Sequence, residues 1–288
     1  MRDGDGRLVA APLRFGGRFC SYHAMVFCAR KAYPEERTLA CFLDFETTGA
    51  SANGGKPGCR LGSGRGKRGL CVVRDCIVEV GIVSEHGACF STVVRPPVVP
   101  SEAECDNSVH GISAAELRAG PEFKAAYARM IAFLLHLEVS TAHIDDSDSE
   151  VEPCVTTSYD DPPQILLVSH NGLKFDFAIL VSEVMRSKSD YLPLQRFGYV
   201  ETLDVFRPLS TGCVKLQCLC REHTVGDGHL RAHRALDDAI ALRDVVVTQA
   251  ERLGVTLCQL LAPFVMECDL SETLIQEESL RLARNQPL

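Results

Sequence analysis

From Leu39 to Glu46 the side chains alternate along the chain. Leu39, Cys41, Leu43 and Phe45 face one way, and Ala40, Phe42, Asp44 and Glu46 face the other. This predicts a buried strand that ends in two carboxylates. Two more β-rich runs, CVVRDCIVEVGIV and ACFSTVVRP, flank the turn-like SEHG and predict an antiparallel hairpin or meander continuing from that strand. Ser113 and Glu116 form a capping box for a short helix, SAAELRAG, which Gly120 and Pro121 end. Phe123, Ala126, Tyr127, Met130 and Leu134 then recur at helical spacing, predicting an amphipathic helix over 122–137. QILLVS reads as a short apolar strand running into His170, Asn171 and Gly172, and Phe177, Leu180, Val181 and Val184 define a helix from about Asp176. YVETLDVF is a further strand candidate. Ala235, Ala239, Leu242 and Val246 form a helical stripe with Asp238 on its edge, where a carboxylate could face the space between helix and sheet. Strands followed by alternating helices and strands predict an α/β domain with a mixed sheet.

Composition narrows the class. The 288 residues, 46% of them hydrophobic, support one enzyme-sized core with extensions. No apolar stretch reaches the roughly 18 residues of a spanning helix, so a soluble, intracellular protein without a membrane is expected. Arg2, Arg7, Arg14, Arg18 and Arg30 hint at a transit peptide, but Asp3, Asp5, Glu35 and Glu36 oppose that reading, and residues 1–36 are expected to be a disordered extension. Residues 251–288 read as a helical appendage. The 14 cysteines include no C-x-x-C pair and many lie in apolar runs, which suits reduced, buried thiols.

The formal charge of −8 is local. Residues 138–163 carry Glu138, Asp145, Asp146, Asp148, Glu150, Glu152, Asp160 and Asp161 with no Lys or Arg, and 38 acids minus these 8 leaves 30 against 30 bases elsewhere. This acidic insertion repels nucleic acid and suits a protein partner or a solubilising role. A second insertion, residues 51–70, is the opposite: Lys56, Arg60, Arg65, Lys67 and Arg68 sit among glycines with no acid, directly after the two carboxylates.

The chemistry lies in acids from three separate segments: Asp44 and Glu46, Asp176, and Asp238, with His233 five positions before the last. Residues i and i+2 of a strand share a face, so Asp44 and Glu46 can reach one ion or bridge two. Oxygen-only ligands favour Mg²⁺ or Mn²⁺. Two such ions about 4 Å apart suit phosphodiester hydrolysis, because they stabilise the attacking and the leaving oxygen together. The attacking water must also lose a proton, and His233 is the side chain placed to take it.

DFETTG, HNGLKFD and HRALDD resemble the three motifs of the DEDDh (DnaQ-like) 3′-to-5′ exonuclease family. The resemblance covers roughly residues 38–250, and VHGIS and VETLDVF fit the family's intermediate segments. It implies a ribonuclease H-like fold with a mixed central sheet flanked by helices, and an exonuclease domain over 37–250. It implies Asp44, Glu46, Asp176 and Asp238 as ligands of two Mg²⁺ or Mn²⁺, His233 as general base, and removal of mononucleotides from a free 3′ end. The family spacing of His, four residues, Asp selects Asp238 over Asp237. By the same resemblance Thr47 and Thr48 lie close to the 3′-terminal nucleotide, where Ala50 replaces the Leu of many relatives. His170 and Asn171 stand where they could orient the scissile phosphate, and turn-capping is the alternative for Asn171. The HNG form of the second motif looks closest to the three-prime repair exonuclease branch. That favours single-stranded or 3′-ended DNA and a role in DNA repair, with RNA 3′-end trimming as the alternative. Relatives are often dimeric, so the resemblance admits a homodimer, but no interface can be read from the residues. A catalytically silent binding module is the reading from another class; retention of all five positions opposes it.

Overall fold

A computed structural model describes residues 29–30, 38–48, 75–106, 108, 110–141, 164–223 and 233–268. In chain order the strands are β1 (Ala29–Arg30), β2 (Thr38–Thr47), β3 (Ile77–Ser84), β4 (Cys89–Val93), β5 (Gln164–Ser169), β6 (Gly198–Glu201) and β7 (Met266–Glu267). The helices are α1 (Glu102–Asp106), α2 (Ala114–Ala119), α3 (Phe123–Thr141), α4 (Asp176–Arg186), α5 (Leu192–Arg196), α6 (Thr202–Phe206), α7 (Leu216–Glu222), α8 (Ala235–Leu253) and α9 (Leu257–Leu261). The strands form one mixed sheet in the order β1-β7-β6-β5-β2-β3-β4, with β2 parallel to β5, β5 parallel to β6, and the remaining pairs antiparallel.

The alternation in β2 sorts its side chains into two cores. Leu39, Cys41, Leu43 and Phe45 join Met130 and Leu134 of α3 and Phe177 and Val181 of α4. Ala40 and Phe42 join Leu242, Val245 and Val246 of α8 and Leu260 and Leu261 of α9. Each face of the sheet is therefore covered by helices, giving an α/β, ribonuclease H-like architecture with a mixed central sheet.

Three features of this frame prepare the site. First, β2 outruns its parallel neighbour: pairing with β5 ends at Phe42 opposite Val168, so among the described strands Leu43 to Thr47 have only β3 beside them. Second, the β2–β3 register shifts between Glu46 and Thr47, a bulge of the kind that often lies next to active sites. Third, Gly81 of β3 lies opposite Asp44, and a Cβ built there would fall 2.2 Å from the backbone of Ala235 and Leu236. Only a residue without a side chain lets the start of α8 approach the sheet this closely.

Several expectations are corrected. YVETLDVF is not one strand: β6 stops at Glu201, whose carboxylate accepts the Leu203 N–H, and the chain turns into α6. Residues from 251 onward are not simply a helical appendage. Leu260, Leu261, Phe264 and Val265 lie in the core and Met266–Glu267 adds a strand to the sheet, paired to β6 and to Ala29–Arg30. Those last two residues are therefore strand within the expected N-terminal extension. The acidic stretch does not begin at 138: α3 runs to Thr141, and Glu138 is buried and ion-paired to Arg196 at 3.1 Å. The basic insertion at 51–70, the rest of the acidic one, and 269–288 lie outside the described residues. Among the described residues no helix is long and apolar enough to cross a membrane.

Candidate active site

Asp44 and Glu46 project from the free end of β2 toward α8, opposite Gly81 and Glu79 of β3. Asp176 enters from the other side as the first residue of α4. Its Oδ1 accepts the Phe45 N–H at 3.0 Å, and its Oδ2 accepts the hydroxyl of Ser169, the last residue of β5. Because β2 has outrun β5, the Phe45 amide lacks a strand partner on that side, and the Asp176 carboxylate takes the carbonyl's place. Asp238 comes from the first turn of α8 and its Oδ2 accepts the backbone N–H of His233 at 3.1 Å. Ligand atoms of Glu46, His233 and Asp238 lie within 4.8 Å of one another, with Glu46 buried, Asp238 half-buried and the His233 side chain exposed.

The electrostatics follow from this crowding. Burial, then the charges of Asp176, Glu46 and Asp238, holds the Asp44 carboxyl well above the ordinary carboxylate range. Burial pushes Glu46 up to about 8, aided by Asp238, Glu79 and Asp176 and opposed by Arg234. Asp176 is pushed up to about 6 by burial against the pull of its Ser169 and Phe45 hydrogen bonds. Asp238 is raised by burial, against the His233 N–H. Carboxyl groups held above their ordinary range by burial and neighbouring negative charge suit a hard divalent cation, whose charge would reverse the penalty. The oxygen-rich set, with one imidazole at its exposed side, fits the metal implied by the sequence.

The second motif is shaped by a group that the motif does not contain. Buried Glu201 accepts the N–H groups of Asn171 at 2.7 Å, Leu173 at 3.2 Å and Leu203 at 3.0 Å. It thereby holds Asn171 in the left-handed region at φ 65° and aims the loop into α4. Gly172 is required there too, since a Cβ would lie 2.8 Å from the Ser169 side chain that holds Asp176.

The remaining expected residues are placed as follows. His170 Nδ1 is 2.9 Å from the Thr202 hydroxyl, and its ring also bonds the Val214 carbonyl; burial lowers it to about 4, so it is neutral. Thr48 forms a reciprocal pair with Cys76, its N–H donating at 2.9 Å and its Oγ1 accepting at 3.0 Å, which closes the base of the basic insertion. Thr47 is half-buried at the bulge, next to Glu46. Asp237 does not join the group of Glu46, His233 and Asp238. Sequence reasoning passed over Ser169, Glu79, Gly81, Arg234 and Glu201. Of these, only the buried polar positions in otherwise apolar strands, Glu79 and Ser169, carried a local signal.

The α/β fold, with its mixed sheet covered by helices, is shared by solved nucleases. The nuclease domain of 3′hExo, a DEDDh family member bound to rAMP, superposes with a TM-score of 0.53 at 14% identity over 81% of this chain and 98% of that one. A 3′-exonuclease recognising the 3′ end of a histone mRNA stem-loop matches with a TM-score of 0.53 at 14% identity over 82% of this chain and 72% of that one. Cell-death related nuclease 4 (CRN-4) matches with a TM-score of 0.50 at 14% identity over 77% and 67%. In sequence, no protein-family model and no curated protein matches the chain.

Proposed function

We propose that this chain is a metal-dependent 3′-to-5′ exonuclease that hydrolyses phosphodiester bonds at the 3′ end of nucleic acid. The observation that carries the reading is the meeting of Glu46, His233 and Asp238 beside Asp44 and Asp176, from three segments of chain, at the overhanging end of β2. Two Mg²⁺ or Mn²⁺ ions held by Asp44, Glu46, Asp176 and Asp238 would stabilise the attacking and leaving oxygens and neutralise the scissile phosphate. The chain does the rest. Ser169 and the Phe45 amide fix the Asp176 carboxylate, Asp238 fixes the His233 backbone, and an imidazole nitrogen of His233 on the exposed side accepts the proton of the attacking water. Thr47, Thr48, His170 and Asn171 border the place of the terminal nucleotide. Thr48 and His170 act through the backbone they hold, because their polar atoms are engaged by Cys76, Thr202 and Val214.

The HNG motif favours DNA. A second reading, RNA 3′-end trimming, is favoured by two of the similar structures, one bound to rAMP and one recognising a histone mRNA stem-loop. A digestion series on matched 5′-labelled DNA and RNA oligonucleotides with Mg²⁺ decides polarity and sugar together. A descending ladder from the 3′ end is expected, faster on DNA. A large excess on RNA would select the second reading, and the absence of a ladder on either would refute the nuclease.

Metal binding has its own signature. Glu46 has a pKa of about 8 in the folded chain against an ordinary value of 4.5. A raised acid contributes stability that is fully present below the unfolded value and lost as pH rises through the folded one. Without metal, the melting temperature should therefore fall between about pH 5 and pH 8. Mg²⁺, which needs the ionised carboxylates, should raise it more at about pH 8 than at about pH 5.5. Thermal shift at both values, with and without Mg²⁺, checks this; an equal effect at both contradicts the shared carboxylate site. Stabilisation without cleavage would favour the silent binding module.

A further inference from the structure

Glu79 belongs to none of the three motifs. It sits on β3 directly opposite Glu46, where two like charges on one face repel. Its side chain is only 3% exposed, yet neither oxygen is available to a cation. Arg234 Nε donates to both oxygens at 3.1 Å, Arg234 Nη2 donates to Oε1 at 2.6 Å, and the Ala235 N–H donates to Oε2 at 3.0 Å. Arg234 is the N-cap of α8 and makes no side-chain cap of its own, so the first turn of the helix is capped instead by a carboxylate from the sheet. The residue just before Arg234 is His233, exposed and in the left-handed region at φ 71°. A backbone of that kind persists only where its surroundings over-determine it.

We infer that Glu79 and Arg234 form a clamp that positions His233 for proton transfer, acting on the general base through the backbone and not as metal ligands. The inference rests on the nuclease reading. A forked guanidinium on a buried carboxylate fixes orientation as well as distance, and the same carboxylate holds the Ala235 amide, so Arg234, the residue following His233, is tied to the sheet through its side chain and through the peptide after it. On the other side of His233, Asp238 accepts its N–H. The imidazole is thus carried on a short arc pinned on one side to Asp238 and on the other to Glu79 of the sheet, while its side chain stays exposed. The pair also keeps Glu79 from acting as a fifth carboxylate beside Glu46.

Steady-state kinetics on a labelled oligonucleotide, Mg²⁺ titration by thermal shift, and hydrogen exchange over residues 233–238 test this for Glu79→Ala, Arg234→Ala and Arg234→Lys. Arg234→Ala should lower kcat by about 10- to 100-fold, the scale of a base misplaced by about 1 Å, with KM and the Mg²⁺ midpoint within about threefold of the parent. Arg234→Lys, which keeps the charge, should recover part of that loss. Glu79→Ala should remove exchange protection from the Ala235 amide, a result that does not depend on nuclease activity. Unchanged kcat in Arg234→Ala beside an active parent overturns the clamp alone, as does a loss confined to KM or to Mg²⁺ affinity. An inert parent with protection still lost in Glu79→Ala overturns the nuclease reading and leaves the structural tie standing.

Discussion

Replacing His233 by alanine is expected to slow turnover by about 10²- to 10⁴-fold, the usual contribution of a positioned acid or base, while the Mg²⁺-dependent rise in melting temperature persists. Two roles compete for this imidazole, because its ring lies within 4.8 Å of ligand oxygens of both Glu46 and Asp238. As a ligand, it would be an unusual nitrogen donor among hard oxygens, and its loss would weaken metal binding. As a base, it needs solvent access and a place beside the water, and it has the first: the side chain is exposed while the acids around it are buried or half-buried. The two measurements separate the roles. Lost turnover with intact Mg²⁺ stabilisation assigns the base, whereas joint loss of both assigns a ligand. Asp238→Asn gives the contrast, since that change should reduce Mg²⁺ stabilisation and turnover together.

The parts of the site that could be read in advance are those with a local pattern. The β2 alternation, the apolar run of β5 and the helical stripe of α8 each depend on spacing within ten or so residues, and each delivers its acid where expected: Asp44 and Glu46 at the end of β2, Asp176 at the first residue of α4, Asp238 in the first turn of α8. The capping box at Ser113 and Glu116 is likewise present in full. What escaped is what holds those elements to one another. Glu79 meets Arg234 across 155 positions, and Gly81 faces Ala235 across a similar span, so neither position has a neighbour in sequence that reveals its task. Glu201 misled for another reason. Its flanks, Tyr199, Val200 and Thr202, have β-forming side chains, and only the buried carboxylate's three amide partners reveal that the strand ends there. The short C-terminal strand Met266–Glu267 exists through pairing with β6 and β1, tertiary context that a helical reading of the segment could not contain.

Gly81→Ala is expected to reduce turnover by about 10²-fold or more while costing only about 1–3 kcal/mol of stability. The added methyl would lie 2.2 Å from the Ala235 carbonyl carbon and the Leu236 nitrogen and 2.4 Å from the Ala235 oxygen, all backbone atoms of the first turn of α8. Backbone cannot rotate aside as the tip of a side chain can, so the helix start must retreat by about 1 Å. That turn carries Asp238 and follows His233 directly, whereas Asp44 and Glu46 remain on the sheet, so the methyl separates two halves of the site without touching any acid. A purely structural role for Gly81 would predict damage in proportion to stability. Ile82→Val provides the scale: Ile82 is fully buried next to Gly81 but its side chain faces the α3 and α4 core, so this change should cost about 0.5–1.5 kcal/mol and leave kcat nearly unaltered. Chemical denaturation and single-turnover rates on both variants test the distinction. If Gly81→Ala loses no more activity than Ile82→Val at equal loss of stability, then the approach of α8 to β3 is packing alone, and the geometry that joins the third acidic segment to the first must be set elsewhere.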